Sequence, residues 1–184
     1  MSKKVAPKTQ REAEHLMPSP AIVAHTYVRL RGTQHGKITV YQARSHQARV
    51  SLAWGGLLMT FHNAQAAQGV LEGVSAARHT LIYVPDKVGP LHEDPYGQPT
   101  ISIEWKRRPQ YAVLPRSSVS ADQRRTAKWT DIYMGPITWQ LLDRAAFHSA
   151  TEVLREAHRT AVAVCLDGHR HRADPTRDDY TPPE

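Results

Sequence analysis

Residues 48–81, ARVSLAWGGLLMTFHNAQAAQGVLEGVSAARHTL, decide the fold class, because within them the apolar period lengthens from that of a strand to that of a helix. Val50, Leu52 and Trp54 alternate with Arg49, Ser51 and Ala53, the pattern of a half-buried strand. Gly55-Gly56 reads as a two-residue hairpin turn that needs positive φ, and LLMTFH at 57–62 returns from it. Asn63 then offers a side-chain acceptor at a helix start. From there Ala67, Val70, Leu71, Val74, Ala77 and Leu81 recur at three and four residues, so 64–81 is expected to be an amphipathic helix.

Working outward toward the N-terminus, IVAHTYVRL at 22–30 is rich in β-branched and aromatic residues, and KITVYQA at 37–43 alternates through Ile38 and Val40. Four strands therefore precede the helix, and 21–84 forms a first strands-plus-helix unit. Residues 1–20 are polar and end in a pair of prolines, which predicts a flexible basic arm.

Toward the C-terminus, the proline- and glycine-rich stretch 85–99 reads as a linker. The pattern then recurs over 100–166: TISIEWK at 100–106, QYAVLP at 110–115, WTDIYM at 129–134 and PITWQLL at 136–142 are strand-like. Asp143 caps a second helix whose stripe runs through Phe147, Ala150, Leu154, Ala157 and Val164. Matching the two helices by apolar pattern puts Val70 on Val153 and Leu81 on Val164, an offset of 83 residues. Residues 167–184 hold three prolines after Asp167-Gly168 and read as a disordered tail. The expected architecture is α+β: two tandem strand-rich units, each of about four antiparallel strands then one helix, with flexible tails at both ends. Gly69 and Gly73 inside the first helix cost helical stability, which predicts that another element approaches closely there.

Composition narrows the functional classes. The chain of 184 residues carries a net charge of +7, and its cations are mostly arginine, 17 against 7 lysines. The single cysteine, Cys165, sits in a helical apolar pattern and is expected to be a small buried hydrophobe in a reducing compartment. With no leader-like start and no long apolar run, the expected location is cytoplasmic, without membrane contact. There is no GxxxxGK[ST], GxGxxG, GxSxG or HExxH motif, and the expectation is a protein that is not an enzyme and takes no cofactor. Asp167, His169, His171 and Asp174 are the best metal-like cluster, but a proline-bounded tail offers no fixed geometry, so no metal site is expected.

The charge is concentrated. Residues 104–128 contain Lys106, Arg107, Arg108, Arg116, Arg124, Arg125 and Lys128 against Glu104 and Asp122, a local +5. Tyr111 and Trp129 lie among them as candidate stacking residues, and 116–128 reads as a long polar loop. Cations that neutralise phosphates and aromatics that stack on bases are the two ingredients of binding to single-stranded nucleic acid. The order of two successive strands-then-helix units resembles that of the PUR-repeat and Whirly families of single-strand-binding proteins. The resemblance is one of element order alone. It implies a regulatory DNA- or RNA-binding role. The alternative expectation is a protein-interaction or scaffold module, forming a homo-oligomer through the helix at 64–81 or meeting an acidic partner with the arginine segment. A small-molecule binder with a pocket between sheet and helix is a third class, for which no residue specifies the ligand.

Overall fold

The computed structural model describes residues 25–89, 100–119 and 126–182. The arm at 1–20 and most of the linker lie outside them, as do Arg124 and Arg125. Among the described residues the chain is α+β, with two four-stranded sheets and two α-helices. In order the strands are β1 (Thr26–Leu30), β2 (Lys37–Tyr41), β3 (Arg49–Trp54) and β4 (Leu57–Phe61), then β5 (Ile101–Trp105), β6 (Ala112–Val119), β7 (Thr126–Met134) and β8 (Ile137–Leu141). Helix α1 (Ala64–Ala76) runs into a 3-10 segment at Ala77–Tyr83, and α2 spans Arg144–Val164.

The local signals act as their chemistry requires. Asn63 and Asp143 are extended at their helix starts, and each side chain accepts from the backbone N–H three residues on. Gly55 and Gly135 turn the β3–β4 and β7–β8 hairpins with φ of 57° and 59°.

The pairing departs from two self-contained antiparallel units. Sheet A has the order β1-β8-β7-β6, and sheet B has β2-β3-β4-β5. Each sheet takes three antiparallel strands from one half of the chain and closes with the first strand of the other half, which pairs parallel: β1 on β8, with Thr26 beside Ile137, and β5 on β4, with Ile101 beside Leu57. The helices also cross the halves, since α1 and α2 pack on each other, α2 against β3 and α1 against β6 and β7. Alternation fixes which face of a strand is buried but not which strand lies beside it.

Both sheets turn their apolar faces into one shared core, where Trp54 of β3 stacks on Trp139 of β8 at 5.9 Å between ring centroids. The two halves correspond at an offset of 80 residues, not 83: Gly55 matches Gly135, Leu57 matches Ile137 and Asn63 matches Asp143. In that register the buried Ala66, Val70 and Val74 fall on Ala146, Ala150 and Leu154, all buried. The offset of 83 is one helical turn out, an error to which a stripe of period near 3.6 is prone.

Three further expectations are corrected. Within the polar loop expected at 116–128, the described residues 116–119 and 126–128 are strand, because β6 and β7 stay in register out to Val119 beside Thr126. Residues 167–182, expected to be a disordered tail, pack on both helices: Asp167 accepts from the N–H groups of Ala64 and Gln65 at 2.9 and 3.0 Å, Gln68 donates to Ala173 O, and Thr176 is buried. Of the segment 64–81 expected to offer an oligomer surface, all of α1 but Gln65 and Ala76 is buried within the chain, and the exposed positions beyond it are Arg78 and His79 of the 3-10 segment. A methyl group added at Gly69 would meet Arg108 and Pro109, and one at Gly73 would meet Met134 and Tyr111. The expected close approach is therefore real, and it is made by the β5–β6 connection.

Candidate functional site

The cations of the basic segment do not gather on one side. Arg108 is mostly buried and pairs with the carboxylate of Glu72, itself buried in α1. The same guanidinium donates to Gln68 Oε1 at 3.0 Å and to Tyr180 OH at 3.0 Å, while Tyr111 OH donates to Glu72 Oε1 at 3.1 Å and Tyr180 OH to Glu72 Oε2 at 2.5 Å. Burial also pushes the Tyr180 phenol up, which keeps it a donor. Arg108 and Tyr111 thus belong to an internal network that ties the β5–β6 connection and the C-terminal segment to α1. Three of the five guanidinium N–H donors are thus spent inside the fold, and the charge is countered by Glu72, so Arg108 is poorly placed to meet a phosphate.

Arg116 and Trp129 have a different environment. They are neighbours across β6 and β7, and their side chains lie on the outer face of sheet A, opposite the core-facing Ile132 and Met134. At the centre of that face is Asp131, nearly buried beneath its neighbours. Its carboxylate accepts from Trp129 Nε1 at 2.8 Å, Gln140 Nε2 at 3.0 Å, Arg116 Nε at 3.2 Å and Tyr133 OH at 3.2 Å. Arg116 also donates to Tyr133 OH at 2.7 Å and stands 6.0 Å from that ring's centroid, the geometry of a cation above a π face. One buried carboxylate therefore fixes two aromatic rings and a guanidinium.

The face continues across β8 to β1. Register places Thr138 between Tyr133 and Tyr27, and Gln140 between Asp131 and Arg29. Arg29 Nε donates to Gln140 Oε1 at 3.0 Å, and His25 shares a hydrogen bond of 2.8 Å with Thr138 Oγ1. Tyr27 is 62% exposed, although a buried core lies directly behind the sheet. One strand, β8, separates Tyr27 from Tyr133, and two strand spacings put them about 10 Å apart. Tyr27, Arg29 and Tyr133 were not among the residues singled out from sequence. The signal was present in HTYVRL, where Tyr27 and Arg29 alternate with the inward Val28 and Leu30.

The remaining expected cations lie elsewhere. Lys106 and Arg107 are exposed at the end of β5, where Lys106 Nζ stands 3.4 Å from Glu104 and its hydrogen bond holds that carboxyl below the usual range. Lys128 is exposed on β7 and alternates with Trp129, so it points to the other side of the β6–β7 ribbon.

Histidine and cysteine chemistry does not concentrate. Among the described residues no group of three or more His, Cys, Asp or Glu side chains is placed to hold a metal. Asp167 is engaged at the start of α1, and Asp174 meets Arg155 and Thr176. The Cys165 thiol is pushed up to about 11, first by burial and then by Asp167, which leaves it protonated and unreactive near neutral pH. No helix among the described residues is long and apolar enough to cross a membrane. Comparison with family profiles, with curated proteins and with solved structures finds no match.

Proposed function

We propose that the protein is a non-enzymatic binder of single-stranded DNA or RNA, and that the outer face of sheet A is its contact surface. The observation that carries this reading is a sheet face on which Tyr27, Arg29 and Arg116 are exposed and Trp129 and Tyr133 half-buried, the last three held around the buried Asp131. A soluble sheet face left to water is ordinarily lined by small polar and aliphatic-stemmed charged side chains. Fixed aromatic rings interleaved with guanidinium groups are instead suited to stacking on unpaired bases while neutralising the phosphates between them. Of the residues first picked from sequence, Arg116 and Trp129 keep this role, and Arg108 and Tyr111 leave it for the fold. The β6–β7 ribbon runs on past the end of β8 as far as Val119 beside Thr126, while Arg124 and Arg125 lie outside the described residues.

Fluorescence anisotropy with a labelled oligothymidylate and with its duplex tests the reading. The expected result is preference for the single strand, affinity that falls steeply as salt rises, and a loss of about 1–3 kcal/mol for Tyr27→Ala or Trp129→Ala. Absence of binding at low salt, or binding indifferent to both substitutions, would overturn it. A defined oligomer that ignores nucleic acid would favour the interaction-module alternative.

A further inference from the structure

The exchange of first strands gives the molecule a second exposed sheet face, built on the same plan. Both sheets bury their apolar sides in the shared core, so the outer faces of A and B look away from that core. On sheet B, Tyr41 lies beside Arg49; one step beyond Val50 and Phe61 the register sets His62 next to Arg49, and the bond from His62 N–H to Trp105 O carries the row on to Lys106. Tyr41, Arg49 and Lys106 are exposed. The adjoining row is Thr39, Ser51, Thr60 and Glu104, three hydroxyls and one carboxylate, with Ser51 buried against Thr60, and the row beyond is Lys37, Ala53, the exposed Leu58 and Ser102.

Across these rows three cations stand against one carboxylate. Glu104 is shared between Lys106 and His62, each at 3.4 Å, which leaves Lys37 and Arg49 without an ion pair among the described residues. Arg107, next after Lys106, is exposed at the rim and likewise makes none among them. The chemistry differs from face A in a definite way. Face A has three aromatic rings and a buried carboxylate; face B has one peripheral tyrosine, one exposed leucine, hydroxyls, and the cations Lys37 and Arg49 with no ion pair among the described residues. Hydroxyls and cations on a flat exposed strand surface recognise phosphate oxygens rather than bases.

We infer that face B is a second nucleic-acid site, one that holds the sugar-phosphate backbone without regard to base, so that a single chain bridges two segments of polymer. The inference rests on the proposed role of face A. It gives Lys106 and Arg107 a place away from the aromatic face, and it follows from the quasi-twofold arrangement, which sets Arg49 where face A has Trp129, and Tyr41 where face A has Arg116.

The experiment uses the full chain and an oligothymidylate of about 12 nucleotides, short enough to occupy one face at a time. Calorimetric stoichiometry is paired with energy transfer between donor- and acceptor-labelled copies of the oligonucleotide. The wild type is expected to bind two per chain and to bring the labels together. The R49E/K106E variant should bind one per chain with energy transfer lost, and Y27A/W129A should also bind one. All four positions are exposed or half-exposed, and unchanged thermal melting confirms that the variants are folded. A stoichiometry of one in the wild type, unchanged by R49E/K106E, overturns the second site while leaving face A standing. No binding by the wild type at low salt overturns both.

Discussion

Arg108 and Tyr180, 72 residues apart in sequence, meet over the buried carboxylate of Glu72, with a guanidinium N–H donating to the phenol oxygen at 3.0 Å. This contact joins three parts of the chain that local sequence reading separates: the basic turn after β5, the middle of α1 and the C-terminal segment. An arginine counted among surface cations is in fact a fastener of the fold. Its removal is expected to act on stability and not on a nucleic-acid surface.

Glu72→Ala leaves the Arg108 guanidinium largely buried and without its counter-charge, and the expected destabilisation is about 3–5 kcal/mol. Denaturant unfolding measures it. Tyr180→Phe, which removes one hydroxyl from the same network, should cost about 1 kcal/mol. If Glu72→Ala unfolds at the wild-type midpoint, the network is not holding the segments together.

Gly69→Ala and Gly73→Ala test the close approach on α1. In an open helix such changes stabilise by about 0.5–1 kcal/mol. Here the added methyl group meets Pro109 and Arg108, or Tyr111 and Met134, so the sign reverses and a loss of about 1–3 kcal/mol is expected. A rise in melting temperature for either variant contradicts the packing.

The two helix starts differ in burial and should differ in cost. Asp143 is fully buried and accepts from the N–H groups of Gly32, Val88 and Ala146, whereas Asp167 reaches across to a partly exposed α1 start. Asp143→Ala is expected to lose about 2 kcal/mol or more, and Asp167→Ala about 1 kcal/mol. Equal effects in thermal unfolding would argue against this ranking.

His158 is buried on α2, with Nε2 at 2.7 Å from His171 O, and burial holds its pKa below the ordinary 6.5 despite that bond and Asp174 nearby. The unfolded chain therefore takes up a proton more readily than the folded one. Stability from this group is complete above pH 6.5 and is lost as pH falls through 6.5 toward the lower folded value. His171, also lowered mainly by burial, adds in the same direction. His158→Gln should flatten the decline in unfolding free energy between about pH 7 and 5. An unchanged slope would assign the decline to other groups.

By itself the sequence determined what depends on near neighbours. The change of period at Asn63, the turns at Gly55 and Gly135 and the second cap at Asp143 place β3, β4, β8 and the starts of both helices close to their observed positions, because alternation, capping and φ > 0 are settled within a few residues. The fold class and the tight packing on Gly69 and Gly73 were legible in the same way, and so were two of the five residues of the candidate interface, Arg116 and Trp129. Tertiary structure alone decided which strand lies beside which, and with that which side chains share a face. Tyr27 joins Tyr133 only because β1 crosses to the other half's sheet, and Arg108 leaves the surface only because Glu72 and Tyr180 converge on it from 36 and 72 residues away. A count of charges along a segment carries no information about partners at such separations, since the burial and counter-charge that determine whether a cation is available are set by the packed chain.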